Sequence, residues 1–410
     1  MDLNKFTGSI MLIVGTIIGS GMFALPLVGA NAGFGWSSLL MGIMWIFAIL
    51  SGLLFLEVNL ALPAQNASFS SMTEKTLGNR WKIVVWLFTM FLLYSMLVAY
   101  VIGEADILVE YFAKRNYHIS HTMVAVSFTA ILGGAVFWSM KTADYFNRFL
   151  LVFKALFIVM TLLLLLPLGT SENLITTHSC TDVRYLLMAA PSFLCAFCYQ
   201  FAIPSLRIYM GDQPKALRTV VIIGTAFAAL TYILWLAAVI GVVPLNGPQS
   251  FASLKASGGS IGASIQLIND LSNGVWVKRA LDSFSIIAMT TSFIGVSLSL
   301  FDFLKDGLER SDSLKDRSLV ALITFVPPLY FAIYYPDCFI VAINYASIAV
   351  AGLCIMLPAA MVYRMRKDAQ LSSPYRVCGG NGLLAFVFFG GVVSMILAIL
   401  YILGKLPGLC

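Results

Sequence analysis

The sequence predicts an all-α protein that crosses a membrane many times, and three observations carry that reading. Of 410 residues 60% are hydrophobic and only 11% charged, with mean hydropathy +0.91, which no water-soluble domain of this size shows. Apolar stretches of roughly 20 residues, the length that spans about 30 Å of hydrocarbon, recur along the chain. The basic residues between them are strongly biased to alternate connections.

Eleven spans are expected, at about 6–30, 36–60, 83–111, 122–140, 147–167, 186–207, 219–243, 279–304, 318–335, 338–362 and 383–404. One set of connections holds seventeen Lys and Arg and the other seven, with Lys154 left inside a span. That asymmetry places the N-terminus in the cytoplasm and the C-terminus outside. Met1 to Lys5 runs straight into the first span without a small-residue cleavage site, so a retained span is expected there in place of a signal peptide. The net charge of +6 matters less than its distribution, and the expected partner is the lipid bilayer, with no nucleic acid. Seven cysteines lacking metal spacing or a CxxC pair predict no zinc site, no disulfide framework and no cofactor. Cys195 and Cys198 read as packing residues.

Two connections are long. Residues 65–80 are polar, and Asn66-Ala67-Ser68 matches a glycosylation sequon by chance on the cytoplasmic side. Residues 244–277 are external and Gly/Ser-rich at first, and 261–271 have helical spacing: a short lid, or a disordered link. Residues 302–317 read as a solvated cytoplasmic turn.

The first span is a poor helix for its setting. In Gly15-Thr16-Ile17-Ile18-Gly19-Ser20-Gly21-Met22-Phe23-Ala24-Leu25-Pro26 three glycines weaken the backbone ladder and Pro26 removes a donor. Unsatisfied backbone groups cost several kcal/mol in hydrocarbon, so a break survives only under protein or beside an aqueous cavity. Free N–H groups at such a break hold an anion and free carbonyls hold a cation, so one broken helix grips both ends of an amino acid. The plainer alternative is that Gly15 and Gly19 only let helices pack closely.

Span six repeats the interruption five spans later, with Pro191, Gln200 and Pro204 in one apolar run. Paired interruptions point to a transport site, and five-span halves starting on opposite sides would be inverted repeats. The chain is then a single domain, 1–410, with repeats 6–167 and 186–362 and a last helix at 383–404.

Lys154 lies in span five, about 10 Å from its cytoplasmic end at roughly 1.5 Å per residue, and its neighbours 149–153 and 155–161 carry no charge. A cation at that depth needs pairing, hydration or deprotonation, which suits a proton-coupling role; snorkelling to the interface is the alternative. Thr290, Thr291 and Ser292 put hydroxyls near mid-membrane in span eight. With free carbonyls of span one, Thr291 and Ser292 would make an alternative sodium site; otherwise they bond their own helix. Glu104 and Asp106 are placed at the external entrance and Glu57 at the inner interface. Tyr94, Tyr100, Phe197, Tyr199 and Phe293 are candidates to wall an aromatic pocket, or are ordinary packing. Gln200 and Asn344 stand out because an amide inside a span needs a partner.

The run GTIIGSGMFALP (15–26) resembles the first helix of the amino acid–polyamine–organocation superfamily. Within it, FNRFLLVFK (146–154), IPS (203–205), TSFIGVSLSLFD (291–302) and ITFVPPLYFAIYYP (323–336) are similar in order to the hydroxy and aromatic amino acid permeases, above all the bacterial tyrosine-specific permeases. The resemblance covers nearly the whole chain. It implies the leucine-transporter fold, with helices 1 and 6 discontinuous, and proton-coupled uptake of an aromatic amino acid across the bacterial inner membrane. By position it assigns the N–H groups of Ser20 and Gly21, beside Gly19, to the substrate carboxylate and the Ile17 carbonyl to the amino group. Ala196 and Phe197 supply the second break, and Lys154 the proton. Where those permeases read SFGFH, this chain has Ala196-Phe197-Cys198-Tyr199-Gln200, losing a titratable group and narrowing the site.

The function expected is import of an aromatic amino acid, tyrosine first, with a proton by alternating access, spans 1, 2, 6 and 7 rocking against 3, 4, 8 and 9. Sodium coupling is the first alternative, and an amino acid sensor the second. A sensor fits poorly without a soluble domain to pass on a signal, and an enzyme fits worse, because His118, His121 and His178 all lie in outer connections. A monomer suffices for every element in this reading.

Overall fold

Each long apolar run is helical in the computed structural model, which describes residues 3–64, 69–175, 183–256, 258–272, 274–311 and 313–405. The sequon at Asn66 and His178 lie outside the described residues. The first half of the chain forms α1 (Leu3–Ile17), α2 (Ala24–Gly29), α3 (Gly33–Leu60), α4 (Phe69–Leu77), α5 (Asn79–Ala113), α6 (His121–Trp138), α7 (Met140–Leu165) and α8 (Ser171–Ile175). The second half forms α9 (Arg184–Cys195), α10 (Ile203–Met210), α11 (Pro214–Val242), α12 (Phe251–Ala256), α13 (Ile261–Ser272), α14 (Val275–Gly307), α15 (Leu314–Tyr334), α16 (Phe339–Val350), α17 (Leu357–Met365) and α18 (Gly380–Ile402).

Ten helical stretches among the described residues are long and apolar enough to cross a membrane, against eleven expected. The difference lies at the start. With 15 residues α1 is too short alone, while Ser20–Leu60 runs for 41 residues. Those 41 residues would reach about 60 Å if straight, twice the hydrocarbon thickness. They are not straight: Gly33, at φ +80°, separates α2 from α3 in a conformation that favours glycine. Span ten is also irregular, since a turn of π-helix at Ala351–Met356 joins α16 to α17.

The helices sort into two packing groups. In one, α1, α3, α9, α10 and α11 contact one another; in the other, α5, α6, α14 and α15 do. Span five (α7) lies chiefly on α14, and span ten (α16) bridges α5 and α9. The run 261–271 is a helix and not a disordered link: α13 packs on α5 so closely that a Cβ at Gly262 would overlap the Asp106 carbonyl.

Two buried charges secure the end of the bundle expected to face the cytoplasm. Glu57 is 1% exposed, and accepts from Arg366 Nε at 2.8 Å, Arg366 Nη2 at 2.7 Å and the Val377 N–H at 2.8 Å. Arg207 of α10, also buried, donates to the carbonyls of Asn59 and Leu62 and to Asp212. Its hydrogen bond and charge hold the exposed Asp212 carboxyl below the usual carboxylate range.

Candidate site at the paired helix breaks

Both broken spans stop within the core. After α1 the chain leaves the helix at Ile18 and Gly19, where Gly19 is extended at φ −138° and ψ −162°, then makes a short 3₁₀ turn at Ser20–Phe23. After α9 it leaves at residues 196–199 and resumes through a 3₁₀ turn at Gln200–Ala202. The glycines account for the first break. At the second, Pro191 lies inside α9 and Pro204 in the first turn of α10, and the Gln200 side-chain carbonyl accepts from the Tyr199 N–H at 3.0 Å.

The two breaks face each other. A Cβ at Gly21 would lie 4.0 Å from the Ala196 Cα. Tyr232 of α11 sits between them, its hydroxyl 2.6 Å from the Ile17 carbonyl oxygen and 3.0 Å from that of Ala196. Trp235, one turn on, donates its indole N–H to the Met22 carbonyl at 3.1 Å. Its ring forms a buried cluster with Phe23 and Phe284. Neither Tyr232 nor Trp235 stood out in the sequence; the available signal was that a hydroxyl or indole N–H inside an apolar span needs a partner.

Several predicted residues gather here. The Ser20 N–H donates to the Ser292 hydroxyl at 3.2 Å, and the Ser20 side chain is fully buried. Gly19 admits Ser292, since a Cβ there would lie 3.0 Å from its oxygen. Tyr100 faces Ser20, and Phe197 packs edge-on against Tyr232 with ring centres 5.5 Å apart. Lys154, 4% exposed, donates to the Gly15 carbonyl at 3.2 Å, in the last turn of α1 before the break.

Other predicted residues point elsewhere. The Tyr199 hydroxyl donates to the Ala48 carbonyl and Gln200 donates to Ser51, so both side chains reach α3; Gly52 gives Tyr199 the room it needs. Tyr94 donates to the Ile323 carbonyl of α15, and Phe293 packs at a tilt on Phe128 and stacks on Phe325. Asn344 donates to Ile340 of its own helix while its side-chain carbonyl is buried and unpaired. Thr291 donates to the Ala288 carbonyl of its own helix. Asp106 faces His121 at 3.3 Å, but Glu104 is not at an entrance: it is 1% exposed, inside the core.

Chemically, the paired breaks bring main-chain donors and acceptors, a serine hydroxyl and aromatic faces together beside one buried ammonium. That suits an amphoteric small molecule with a ring and contains no nucleophile–base arrangement. A manganese transporter from Eremococcus coleocola superposes with a TM-score of 0.64 at 13% identity, over 97% of this chain and 86% of its own. That likeness is one of fold alone, the leucine-transporter fold that the sequence resemblance implied.

Family follows from sequence. The model of the tryptophan/tyrosine permease family matches residues 2–398, and this chain belongs to that family. It is 31% identical over 405 residues to the tyrosine-specific transport system 2 of Haemophilus influenzae, covering 98% of each chain. It is 32% identical over 403 residues to the tryptophan-specific transport protein of Shigella flexneri, covering 98% of this chain and 96% of the relative.

Proposed function

We propose that this permease imports an aromatic amino acid, tyrosine first, together with a proton by alternating access in the bacterial inner membrane. The relatives' names support the substrate class, and the observation that carries the mechanism is the meeting of the two breaks at Tyr232. In this reading the substrate carboxylate takes the N–H groups of Ser20 and Gly21, and its ammonium the carbonyls of Ile17 and Ala196. Two side chains now occupy those polar groups: Ser292 accepts from Ser20 and Tyr232 donates to Ile17. They keep the backbone satisfied and yield to the substrate. Tyr100 and Phe197 flank the ring.

Lys154 supplies the proton link. Among the described residues its buried ammonium has only a carbonyl acceptor, a costly state that loss of a proton relieves, and it holds α1 through Gly15. The proton state of Lys154 then sets whether α1 is tied to α7. Sodium coupling is the weaker reading, because the Thr291 and Ser292 hydroxyls are already engaged by Ala288 and Ser20. Eleven spans in two inverted repeats of five plus one, with the N-terminus cytoplasmic and the C-terminus periplasmic, complete the proposal. The packing groups are the bodies that rock.

The test is uptake of labelled tyrosine, tryptophan and phenylalanine into proteoliposomes under a proton gradient or a sodium gradient, imposed separately. Accumulation driven by the proton gradient alone is expected. Accumulation only with sodium would move coupling to Thr291 and Ser292 and leave Lys154 structural.

A further inference from the structure

Glu104 is a buried carboxyl that the scheme above does not use. It lies in the last third of α5, toward its C-terminal end, at 1% exposure. One oxygen is 3.5 Å from the Thr290 hydroxyl of α14; the other, Oε2, has no hydrogen-bond partner among the described residues. The adjacent Gly103 abuts Met289 and Phe339, and the chain neighbours Val101, Ile102, Ala105 and Ile107 are buried as well.

No cation reaches it among the ion pairs of the described residues. Several charged groups on the outer ends of the surrounding helices have partners of their own. His121 of α6 faces Asp106, Asp270 of α13 holds Lys114, and Asp282 of α14 accepts from Asn269. On α15 the charges are Lys315, Asp316 and Arg317, in its first turn, and α16 has no Lys, Arg, Asp or Glu. An ionised carboxylate left this way would cost several kcal/mol, while a carboxylic acid needs only the one weak partner it has.

Position links this group to the transport path. Glu104 is four residues beyond Tyr100 on the same face of α5, a rise of about 6 Å, and Tyr100 faces Ser20 at the first break. Thr290 is two residues from Ser292, which holds the Ser20 N–H. Lys154 meets the stretch before that break, so the two buried ionisable groups flank it from different helices.

We propose that Glu104 is a second proton-binding site of the transporter, loaded while buried as it is here and titrated by water when the face of α5 that carries Tyr100 is bared. A proton is the ligand that fits. A substrate ammonium would need several acceptors, and Glu104 and Thr290 offer one free oxygen and one hydroxyl. The proposal rests on the transport reading above, but its first test does not.

That test is the infrared difference spectrum of the reconstituted full-length protein as the bathing buffer is stepped in pH, with and without tyrosine. A protonated-carboxyl stretch is expected in the wild type and lost in Glu104→Gln. Thr290→Val should shift its frequency, because the Thr290 hydroxyl is the only partner, and this variant carries the test if Glu104→Gln does not fold. Identical spectra in wild type and Thr290→Val, or in wild type and a folded Glu104→Gln, would overturn the proposal.

The second measurement is the number of protons entering per labelled tyrosine, read with a pH-sensitive dye inside the vesicles. Glu104→Gln should lower that ratio and flatten the dependence of uptake on external pH. An unchanged ratio with the band lost would also overturn it. A wild type driven by sodium alone would defeat the coupling reading of the preceding section, and with it a transport role for this proton, whereas a proton-driven wild type with unaltered Glu104→Gln defeats only Glu104.

Discussion

Tyr232 and Ile17 meet across the centre of the molecule: the phenol hydroxyl lies 2.6 Å from the Ile17 carbonyl oxygen and 3.0 Å from the Ala196 carbonyl oxygen. A hydroxyl has one proton, so it serves one carbonyl fully at a time. It thereby couples two broken helices that are far apart in sequence. Tyr232→Phe would leave both carbonyls short of a donor, at about 1–3 kcal/mol for a buried group. The variant should melt at lower temperature in detergent and take up tyrosine about tenfold more slowly, the effect of about 1.4 kcal/mol. Wild-type uptake at matched expression would show that the hydroxyl is not part of the site.

What was legible in the sequence follows from what is costly in a membrane. Glycines and prolines inside apolar runs betray their backbone breaks, and a lone lysine betrays itself as an unpaired charge. Aromatic side chains do not, because nothing in a local pattern says which way a ring in an apolar helix points. Tyr232 and Trp235 were missed for that reason, and Tyr199 and Gln200, though next to the break, turn toward α3. Glu104 and Glu57 read as boundary residues, since carboxylates near helix ends usually are. Only the packing of neighbouring helices buries them.

Gly21 tests the gap between the breaks. A methyl group there would sit 4.0 Å from the Ala196 Cα, an ordinary contact, whereas a branched side chain would have to enter the space that the two breaks share. Gly21→Ala should bind tyrosine within a few-fold of wild type, and Gly21→Val should lose binding in an equilibrium radioligand assay. Unchanged affinity in Gly21→Val would take the first break out of the site.

Lys154→Ala separates coupling from binding. It removes both the titratable group and the tie to the Gly15 carbonyl, while the groups assigned to the substrate stay in place. Proteoliposomes should then exchange internal for external tyrosine but fail to accumulate it against a gradient. Full proton-driven accumulation by this variant would assign Lys154 to structure.

The Glu57–Arg366 pair makes the last prediction, and its sign depends on which partner goes. Arg366 donates twice to a carboxylate that is 1% exposed and that otherwise has only the Val377 N–H. Removing the arginine alone leaves a buried, uncompensated charge, which costs about 3–5 kcal/mol. Replacing both members by neutral residues of similar size removes the charge together with its need for a partner, and that exchange is often nearly neutral. Arg366→Ala should therefore unfold at a distinctly lower temperature than Glu57→Gln/Arg366→Met when both are heated in the same detergent. If the two variants melted together, the contacts that α3 makes with the residues following α17 would be held by packing and the ion pair would add nothing.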